Sequence, residues 1–319
     1  MEVFHHLDDV PADLGGTVVS VGNFDGVHCA HREVLGNLVA RAHHLALRSA
    51  AVTFEPHPMR ILRPDLAPRL LTPAPTKLRL LRQTGLDILV VLPFTRDVSL
   101  MEPREFVGSI LVERLRAREV HEGFNFRFGH HAEGDVEQLR QFGRELGFEV
   151  RVYPEKRIRG DAVSSTRIRE LLRQGNVGRA NRLLGRPFSI VSTAGRGRGY
   201  GHRYTVPTIN LSRYDELAPL DGVYVTRTRV GDETFESVTN VGNRPTFGVE
   251  SFAIESHLLN FHPIDVTSDT ELEVSFLYRL RAEIKFPSVE ALREQIAHDV
   301  HRARHYFRLA HRALSAGKP

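Results

Sequence analysis

The sequence predicts a two-domain α/β protein, in which a parallel sheet covered by helices precedes a small antiparallel β-barrel with a C-terminal helix. The first half alternates short β-branched runs with amphipathic segments, and its strands lack polar alternation. Beyond Pro187 the strands alternate with period two, and a long amphipathic segment ends the chain. The 319 residues fit two cores better than one, and we predict domains at 1–186 and 187–319.

The first domain has strands and helices in regular alternation. Strands are predicted at 17–21, 49–54, 87–94, 118–124 and 148–153, and helices at 31–47, 103–115 and 133–147. Parallel strands of this kind are joined by right-handed crossovers. Their carboxyl ends therefore share one edge of the sheet, where we expect ligands to bind.

The second domain begins after two short helices, which end at Gly175 and Gly185. Residues 222–242 have the pattern of a hairpin that turns at Gly231 and Asp232, and further strands are predicted at 251–261 and 271–280. The terminal helix follows Ser288, and we expect its apolar stripe to pack on the barrel. The stripe consists of Val289, Leu292, Ile296, Val300, Ala303 and Phe307.

Composition narrows the functional classes. With 41% hydrophobic and 26% charged residues, the chain is typical of soluble globular proteins. The single cysteine, the absence of a leader pattern and the lack of any run long enough to span a bilayer favour a cytoplasmic protein without a membrane partner. The net charge of +4 suits either nucleic acid or small phosphorylated anions, but the absence of Trp disfavours single-strand binding. We expect no nucleic-acid partner, and a homo-oligomer is left open.

The stretch "VSVGNFDGVHCAH" (19–31) takes a buried strand through Gly22 and Gly26 into a helix start. His28 and His31 are three apart and share one face of the first turn, where the helix N-terminus favours an anion. Two imidazoles there can hydrogen-bond phosphate and stabilise charge that develops on phosphorus. The alternatives are that they are incidental surface residues or half of a zinc site. Zinc is disfavoured, because no Cys/His pair of suitable spacing supplies the other ligands.

A second helix start, "SSTRIR" (164–169), offers hydroxyls followed by two arginines. Helix capping by Ser164 alone explains the serine about as well as a functional role does. The arginines favour function, because the guanidinium group matches phosphate geometry.

The motifs "GNFDGVHCAH", "TFEPHP" (53–58), "GFNFRFG" (123–129) and "SSTRIR", in this order, resemble the Rossmann-like nucleotidyltransferase module of the bifunctional riboflavin kinase/FMN adenylyltransferase family, the bacterial FAD synthetases. The resemblance implies attack of FMN phosphate on the α-phosphorus of ATP, with release of pyrophosphate and with Mg²⁺ assisting. It makes His28 and His31 catalytic residues at the triphosphate, and His57 and Pro58 flavin contacts. The implied nucleotide and phosphate contacts are Gly22, Asn23, Phe24, Asp25, Asn125, Ser164, Ser165, Thr166 and Arg169.

The glycine-rich stretch "GRGRGYGHRYTVPTINL" (195–211) could on its own be a flexible loop or an RNA contact. With "NVGNRPTFG" (240–248) and "IESHLLNF" (254–261) it resembles the flavokinase module of the same family. The resemblance implies that Glu255 accepts the proton of the riboflavin 5′-hydroxyl, as an alcohol nucleophile requires. It also implies that Thr208 and Asn210 hold the Mg²⁺ of ATP, that Arg244 contacts flavin, and that the phosphates lie under Gly197, Gly199 and Gly201.

This chain departs from the family pattern at a few positions. Ala30 stands where the family has glycine in G-V-H-x-G-H, and a methyl group that clashes there costs on the order of 1 kcal/mol. In the flavokinase motif, His202 replaces arginine, Thr205 replaces glycine and Ile209 replaces alanine. The substrates expected are ATP, riboflavin and FMN. The alternatives are a paralogue that uses another nucleotide such as CTP or a flavin analogue, one with a weakened kinase half, and a regulatory protein that only binds flavin or nucleotide.

Overall fold

The computed structural model describes residues 1–195, 208–212, 214–246, 249–262 and 266–316, with side chains except at 243–246, 249–252, 314 and 316. The chain divides into two compact units, Met1–Ser165 and Thr166–Pro319. The segment from 166 to 186 groups with the second unit because its helices bond to the following strands: Asn181 Nδ2 donates to the carbonyl of Phe276 at 2.8 Å. The domain boundary between residues 186 and 187 stays a prediction.

The first unit has the parallel sheet that the sequence predicts. Its six strands lie in the order β1-β4-β3-β2-β5-β6, and every neighbouring pair is parallel. The strand order reverses between β2 and β5, and such switch points are where open α/β sheets bind ligands. The strands are β1 (Glu2–Phe4), β2 (Thr17–Val21), β3 (Arg48–Glu55), β4 (Ile88–Pro93), β5 (Ala117–Gly123) and β6 (Glu149–Tyr153), followed by a small hairpin of β7 (Arg157–Ile158) and β8 (Asp161–Ala162).

Helices cover both faces of this sheet. Alternate residues of β2 enter two separate hydrophobic clusters, Val18 in one and Val19 in the other, which explains the continuous apolar strands. The helices are α1 (Cys29–His44), α2 (Pro58–Leu62), α3 (Ala74–Arg82), α4 (Arg96–Leu100), α5 (Pro103–Glu105) and α6 (Val136–Leu146), and α5 continues as a π-helix over Phe106–Arg114. Single 3₁₀ turns lie at Leu7–Asp9, Pro64–Leu66 and His130–Ala132.

The second unit contains the antiparallel barrel. Six strands lie in the order β10-β13-β12-β11-β14-β9, and an antiparallel bridge between Ala194 and Leu211 joins the two edges of the sheet. The predicted hairpin is β11–β12, with Gly231 at φ +57° in its turn. The elements are α7 (Ser165–Arg173), α8 (Val177–Leu184), β9 (Phe188–Thr193), β10 (Thr208–Asn210), β11 (Gly222–Val230), β12 (Glu233–Thr246), β13 (Val249–Leu258), β14 (Glu271–Arg281) and α9 (Val289–Ala316).

The barrel interior holds a chain of buried hydroxyl groups. Thr226 Oγ1 lies 2.8 Å from Ser237 Oγ and 2.6 Å from Thr239 Oγ1. Thr239 in turn contacts Ser256 at 2.7 Å, and Ser237 contacts Thr228 at 2.8 Å. Every member has a partner, so the polar groups are satisfied away from water.

The terminal helix packs on the barrel over part of its length only. Ala303 and Phe307 are buried beside β11 and β12, as predicted. The prediction for the first part of the stripe was wrong: Val289, Leu292 and Ile296 are 47%, 38% and 42% exposed. Burial of the helix begins at Asp299, whose carboxylate pairs with Arg281 of β14. Within the described ranges, no helix is both long and apolar enough to cross a bilayer.

Candidate functional sites

The loop from Gly22 to His28 leaves the sheet at the switch point and leads into α1. Gly22 N–H donates to the Val52 carbonyl of β3 at 2.9 Å. A Cβ atom on Gly22 would lie 3.1 Å from the ring of Phe24, which is buried. Glycine therefore allows the loop to close tightly over the ends of the strands.

Asp25 ties this loop to the segment before α3. Its carboxylate accepts hydrogen bonds from Leu71 N–H at 3.0 Å, Thr72 N–H at 2.9 Å and the Thr72 hydroxyl at 3.1 Å. The Thr72 hydroxyl oxygen also accepts from Gly26 N–H at 2.9 Å. Asp25 is 4% exposed. The carboxylate thus orders the loop through a buried hydrogen-bond network.

The same loop contains backbone conformations that side chains rarely adopt. Phe24 and Val27 have φ of +47° and +38°, and Gly26 has φ of +88°. A β-branched residue in the left-handed region is strained, and each such residue costs about 1–3 kcal/mol. Because Asp25 bonds to Leu71 and Thr72 and Gly26 also bonds to Thr72, the strained conformation is held next to His28.

His28 and His31 lie together at the N-terminus of α1. His28 is the N-cap, and its Nδ1 accepts from His31 N–H at 3.3 Å, so the Nδ1 atom of His28 is not protonated in this arrangement. The two rings stack with centroids 3.5 Å apart, and Phe24 meets the ring of His31 edge-on at 5.3 Å. Ala30, the departure from the family pattern, is the second residue of this helix.

The protonation of His31 follows from its surroundings. Burial, and then the charge of neighbouring His28, lower the pKa of His31 well below its ordinary value. Its Nδ1 is buried without a hydrogen-bond partner among the described residues. A neutral imidazole with an unsatisfied nitrogen at the start of a 16-residue helix is suited to meet an incoming anion.

The "TFEPHP" segment follows β3 at the same edge of the sheet. His57 caps α2, with its Nδ1 accepting from Met59 N–H at 3.2 Å, and Pro58 is the first residue of that helix. Asn125 lies exposed in the turn after β5. Three of the predicted motifs of the first unit therefore follow strands β2, β3 and β5 at their carboxyl ends.

The "SSTRIR" motif crosses the division of the chain. The Ser165 hydroxyl donates to the Asp25 carbonyl at 2.8 Å within the first unit. Ser164 directly precedes α7, and Thr166 lies in its first turn. Arg169, in the second unit, is 7% exposed beside the buried Ile168 and Leu172 of the same helix.

Two further residues at the loop were missed by the sequence analysis. Lys77 of α3 and Glu122 of β5 are buried charged side chains that bond to the loop backbone or to its neighbours. Both occupy buried positions in the structure: Lys77 is four residues before buried Leu81, and Glu122 lies in a parallel strand whose neighbouring residues are mostly buried. A charged residue at a core position is the signal that could have found them.

The second candidate site is a row of polar residues across three strands. Glu255 of β13 lies opposite Asn210 of β10 on one side and opposite Asn240 of β12 on the other. Thr208 lies opposite His257, two residues along. Because side chains alternate along a strand, all five residues share one face of the sheet.

His257 adds a neutral ring to this face. Burial, with a smaller effect of the Arg304 charge, lowers the pKa of His257 to about 4.

The predicted phosphate residues Gly197, Gly199 and Gly201, with the departures His202 and Thr205, lie outside the described residues. Arg244 pairs with Ser251 through the β12–β13 ladder, and its side chain is outside the described part.

Metal-binding side chains of the His, Cys, Asp and Glu types do not gather in groups of three or more anywhere in the described ranges. Thr208 and Asn210 offer hydroxyl and amide oxygens instead, beside the carboxylate of Glu255. Hard oxygen donors of this kind fit Mg²⁺, which keeps several waters and takes few protein ligands.

Two family models match the chain. The model described as FAD synthetase matches residues 10–167, and the model described as riboflavin kinase matches residues 184–307. The first range contains the loop of His28 and His31, and the second contains the row of Asn210, Glu255 and Asn240. The two candidate sites therefore fall in separate family matches.

Curated relatives match along nearly the whole chain. A bifunctional riboflavin kinase/FMN adenylyltransferase of Escherichia coli (strain K12) is 33% identical, with 96% of each chain covered. The protein of the same description from Pseudomonas fluorescens is 34% identical, with 95% of this chain and 97% of the relative covered. A solved structure described as a macrolide-efflux protein from Streptococcus pneumoniae has a TM-score of 0.85 and 27% identity, covering 95% of this chain and 98% of that one.

Proposed function

The chain belongs to the family of bifunctional riboflavin kinase/FMN adenylyltransferases, and we propose that it phosphorylates riboflavin with ATP and then transfers AMP from ATP to FMN, giving FAD and pyrophosphate. The proposal rests on one observation: each of the two family matches contains one of the two candidate sites. No described feature favours the alternative of CTP, of a flavin analogue or of a binding protein without activity.

Adenylyl transfer takes place at the loop of the first unit. The FMN phosphate is already ionised, so its attack on the α-phosphorus needs no general base. His28, His31 and the N-terminus of α1 stabilise negative charge on the triphosphate as the bond to pyrophosphate breaks. His57 and Pro58 contact FMN. The remaining proposed contacts to the nucleotide are Gly22, Asn23, Phe24, Asp25, Asn125, Ser164, Ser165, Thr166 and Arg169.

Asp25 contributes to this site through the loop. Because its carboxylate accepts from Leu71 and Thr72, its main role is to hold the loop in the strained conformation that presents His28.

Phosphorylation of riboflavin takes place at the polar row of the barrel. Glu255 accepts the proton of the 5′-hydroxyl, which turns a poor nucleophile into one that can attack the γ-phosphorus. Thr208 and Asn210 would hold Mg²⁺, which neutralises charge on the phosphate oxygens when it is bound. Arg244 contacts the flavin, and Gly197, Gly199 and Gly201 allow close approach of the backbone to phosphate.

The proposed location and partners of the protein follow from its substrates. ATP, riboflavin and FMN are soluble small molecules, and we place the enzyme in the cytoplasm with no nucleic-acid or membrane partner. The single cysteine, Cys29, needs no oxidising compartment.

Incubation of the protein with riboflavin, Mg²⁺ and each of ATP, CTP, GTP and UTP tests the proposal, with flavins resolved by chromatography. With ATP we expect FMN first and FAD later, with pyrophosphate released in step with FAD. Ala30→Gly, which restores the family residue, should keep the preference for ATP. Failure of folded protein to form FMN or FAD, or a dinucleotide formed faster with CTP, would contradict the proposal.

A further inference from the structure

Two buried side chains, one acidic and one basic, flank Gly22, the residue at which β2 leaves the sheet. Glu122 is 3% exposed and bonds to the residue before Gly22; Lys77 is 8% exposed and bonds to the residue after it. Buried charged groups are rare unless a specific interaction holds them.

Glu122 replaces a missing backbone acceptor. The parallel ladder between β2 and β5 pairs Val19 with Val120 and extends no further. Thr17 N–H points toward β5, where it donates to the Arg116 carbonyl, and by alternation Val21 N–H points the same way. Glu122 Oε1 accepts from Val21 N–H at 2.6 Å. The carboxyl group thus continues the hydrogen bonding where the two strands separate at the switch point.

Lys77 joins the loop to the end of β3. Its Nζ lies 3.5 Å from the Asn23 carbonyl oxygen, 3.2 Å from the Phe54 carbonyl oxygen and 3.2 Å from Thr53 Oγ1. The Thr53 hydroxyl itself donates to the Asn23 carbonyl at 3.3 Å. One ammonium group therefore connects the backbone that leads to His28 with the backbone that leads to His57.

We propose that Glu122 and Lys77 are positioning residues for adenylyl transfer, which fix the backbone on the two sides of Gly22 and thereby hold His28 and His31 in place; this inference rests on the proposed function. Neither side chain needs to contact a substrate. Directly after the two anchored residues, the loop carries Phe24 and Val27 in left-handed conformations, which relax if the anchors are removed. A displacement of about 1 Å at reacting groups can cost about 10²-fold in rate.

Glu122 offers a matched pair of variants. Burial raises the pKa of Glu122 well above its ordinary value, although bonds from Val21 N–H and the Ser20 hydroxyl partly offset this. Burial therefore shifts the balance toward the neutral acid, and the neutral Glu122→Gln side chain keeps an acceptor oxygen. Glu122→Leu keeps a similar volume and removes the acceptor. For Lys77→Met, Lys156→Met is the control, because it removes a cation from an exposed ion pair of the same unit.

The experiment measures adenylyl transfer, riboflavin phosphorylation and hydrogen exchange on each full-length variant. We expect Glu122→Leu and Lys77→Met to lower kcat for FAD formation roughly 10- to 100-fold while KM for ATP changes less than about threefold. Riboflavin phosphorylation should be unchanged in the same protein. Amide exchange in the peptide spanning residues 19–31 should become faster in these two variants and stay as in the wild type in Glu122→Gln and Lys156→Met.

Several results would overturn the inference. Unchanged exchange at 19–31 in Glu122→Leu and Lys77→Met would show that the side chains do not hold the loop. Equal losses in Glu122→Gln and Glu122→Leu would exclude the acceptor role, and a parallel loss of kinase activity would indicate general unfolding. If the wild type makes no FAD, the proposed function fails, and the exchange comparison still decides whether the two residues anchor the loop.

Discussion

Replacing Asp25 by alanine should act mainly by destabilising the first unit, and not by removing a direct contact with nucleotide. The change removes the acceptor for Leu71 N–H, Thr72 N–H and the Thr72 hydroxyl. These hydrogen bonds are shielded from water, because Asp25 is only 4% exposed. Each buried donor left without a partner costs about 1–3 kcal/mol. Because such costs are not additive, we expect the free energy of unfolding to fall by about 3–5 kcal/mol.

Thermal unfolding followed by circular dichroism measures this change. In a unit of this size, 1 kcal/mol shifts the midpoint by about 2–4 °C, so the first unit should unfold on the order of 10 °C earlier. Asp25→Asn is the matched control, because its carbonyl oxygen can still accept from Thr72 while its NH₂ group faces the Leu71 donor. The free energy of unfolding should fall in Asp25→Asn by about half as much as in Asp25→Ala.

Activity measurements separate the two roles of Asp25. With the loop released, FAD formation should fall through kcat, whereas riboflavin phosphorylation in the same molecule should not change. An Asp25→Ala protein with an unchanged unfolding midpoint and a large rise only in KM for ATP would refute this reasoning. Asp25 would then act by touching the nucleotide.

Three further predictions concern other parts of the chain. Glu255→Gln should lower FMN formation from riboflavin about 10²- to 10⁴-fold and leave FAD formation from added FMN unchanged; equal losses in both assays would contradict its role as base. The pKa of His31 is lowered from 6.5 in the folded protein. Below pH 6.5 the unfolded chain therefore binds a proton that the folded protein does not, and stability is lost as the pH falls toward the folded-state pKa. Urea unfolding of His31→Gln should therefore depend less on pH than that of the wild type between about pH 6.5 and 5, and identical slopes would argue against a buried neutral ring. Thr226→Val removes one hydrogen bond each from Ser237 and Thr239, which keep Thr228 and Ser256 as partners, and should lower the free energy of unfolding by about 0.5–1.5 kcal/mol, whereas exposed Thr234→Val should have little effect.

The sequence was most informative where hydrophobic periodicity is strong. The central parallel strands and the β11–β12 hairpin lie where their patterns predict them, because burial on one or both faces dictates the residue types. Strands β1 and β10 were missed: with three residues each, they are too short to show a period and depend on pairing with distant strands.

At the candidate sites, the local motifs located the loops but not what anchors them. Nothing in the spacing around His28 indicates that Asp25 bonds to Thr72, 47 positions away. The anchoring residues Lys77 and Glu122 lie far from the loop in sequence, and only the packing of α3 and β5 brings them to Gly22. Val289 and Ile296 show that the sequence can also predict too much. They belong to a clear apolar stripe, but they are exposed because the stripe is longer than the surface that it covers.

The position of α7 and α8 has a consequence for any attempt to obtain the two activities as separate fragments. A fragment that ends at Ser165 keeps the hydroxyl bonded to the Asp25 carbonyl and loses Arg169. A fragment that begins at Phe188 loses Asn181, whose side chain bonds both Phe188 N–H and the Phe276 carbonyl of the barrel. The barrel half therefore requires α8, and it also holds α7, because Leu220 N–H donates to the Leu172 carbonyl at 2.9 Å. On the proposed role of Arg169, the transferase half requires α7 as well, so two independently expressed fragments would have to overlap by that helix.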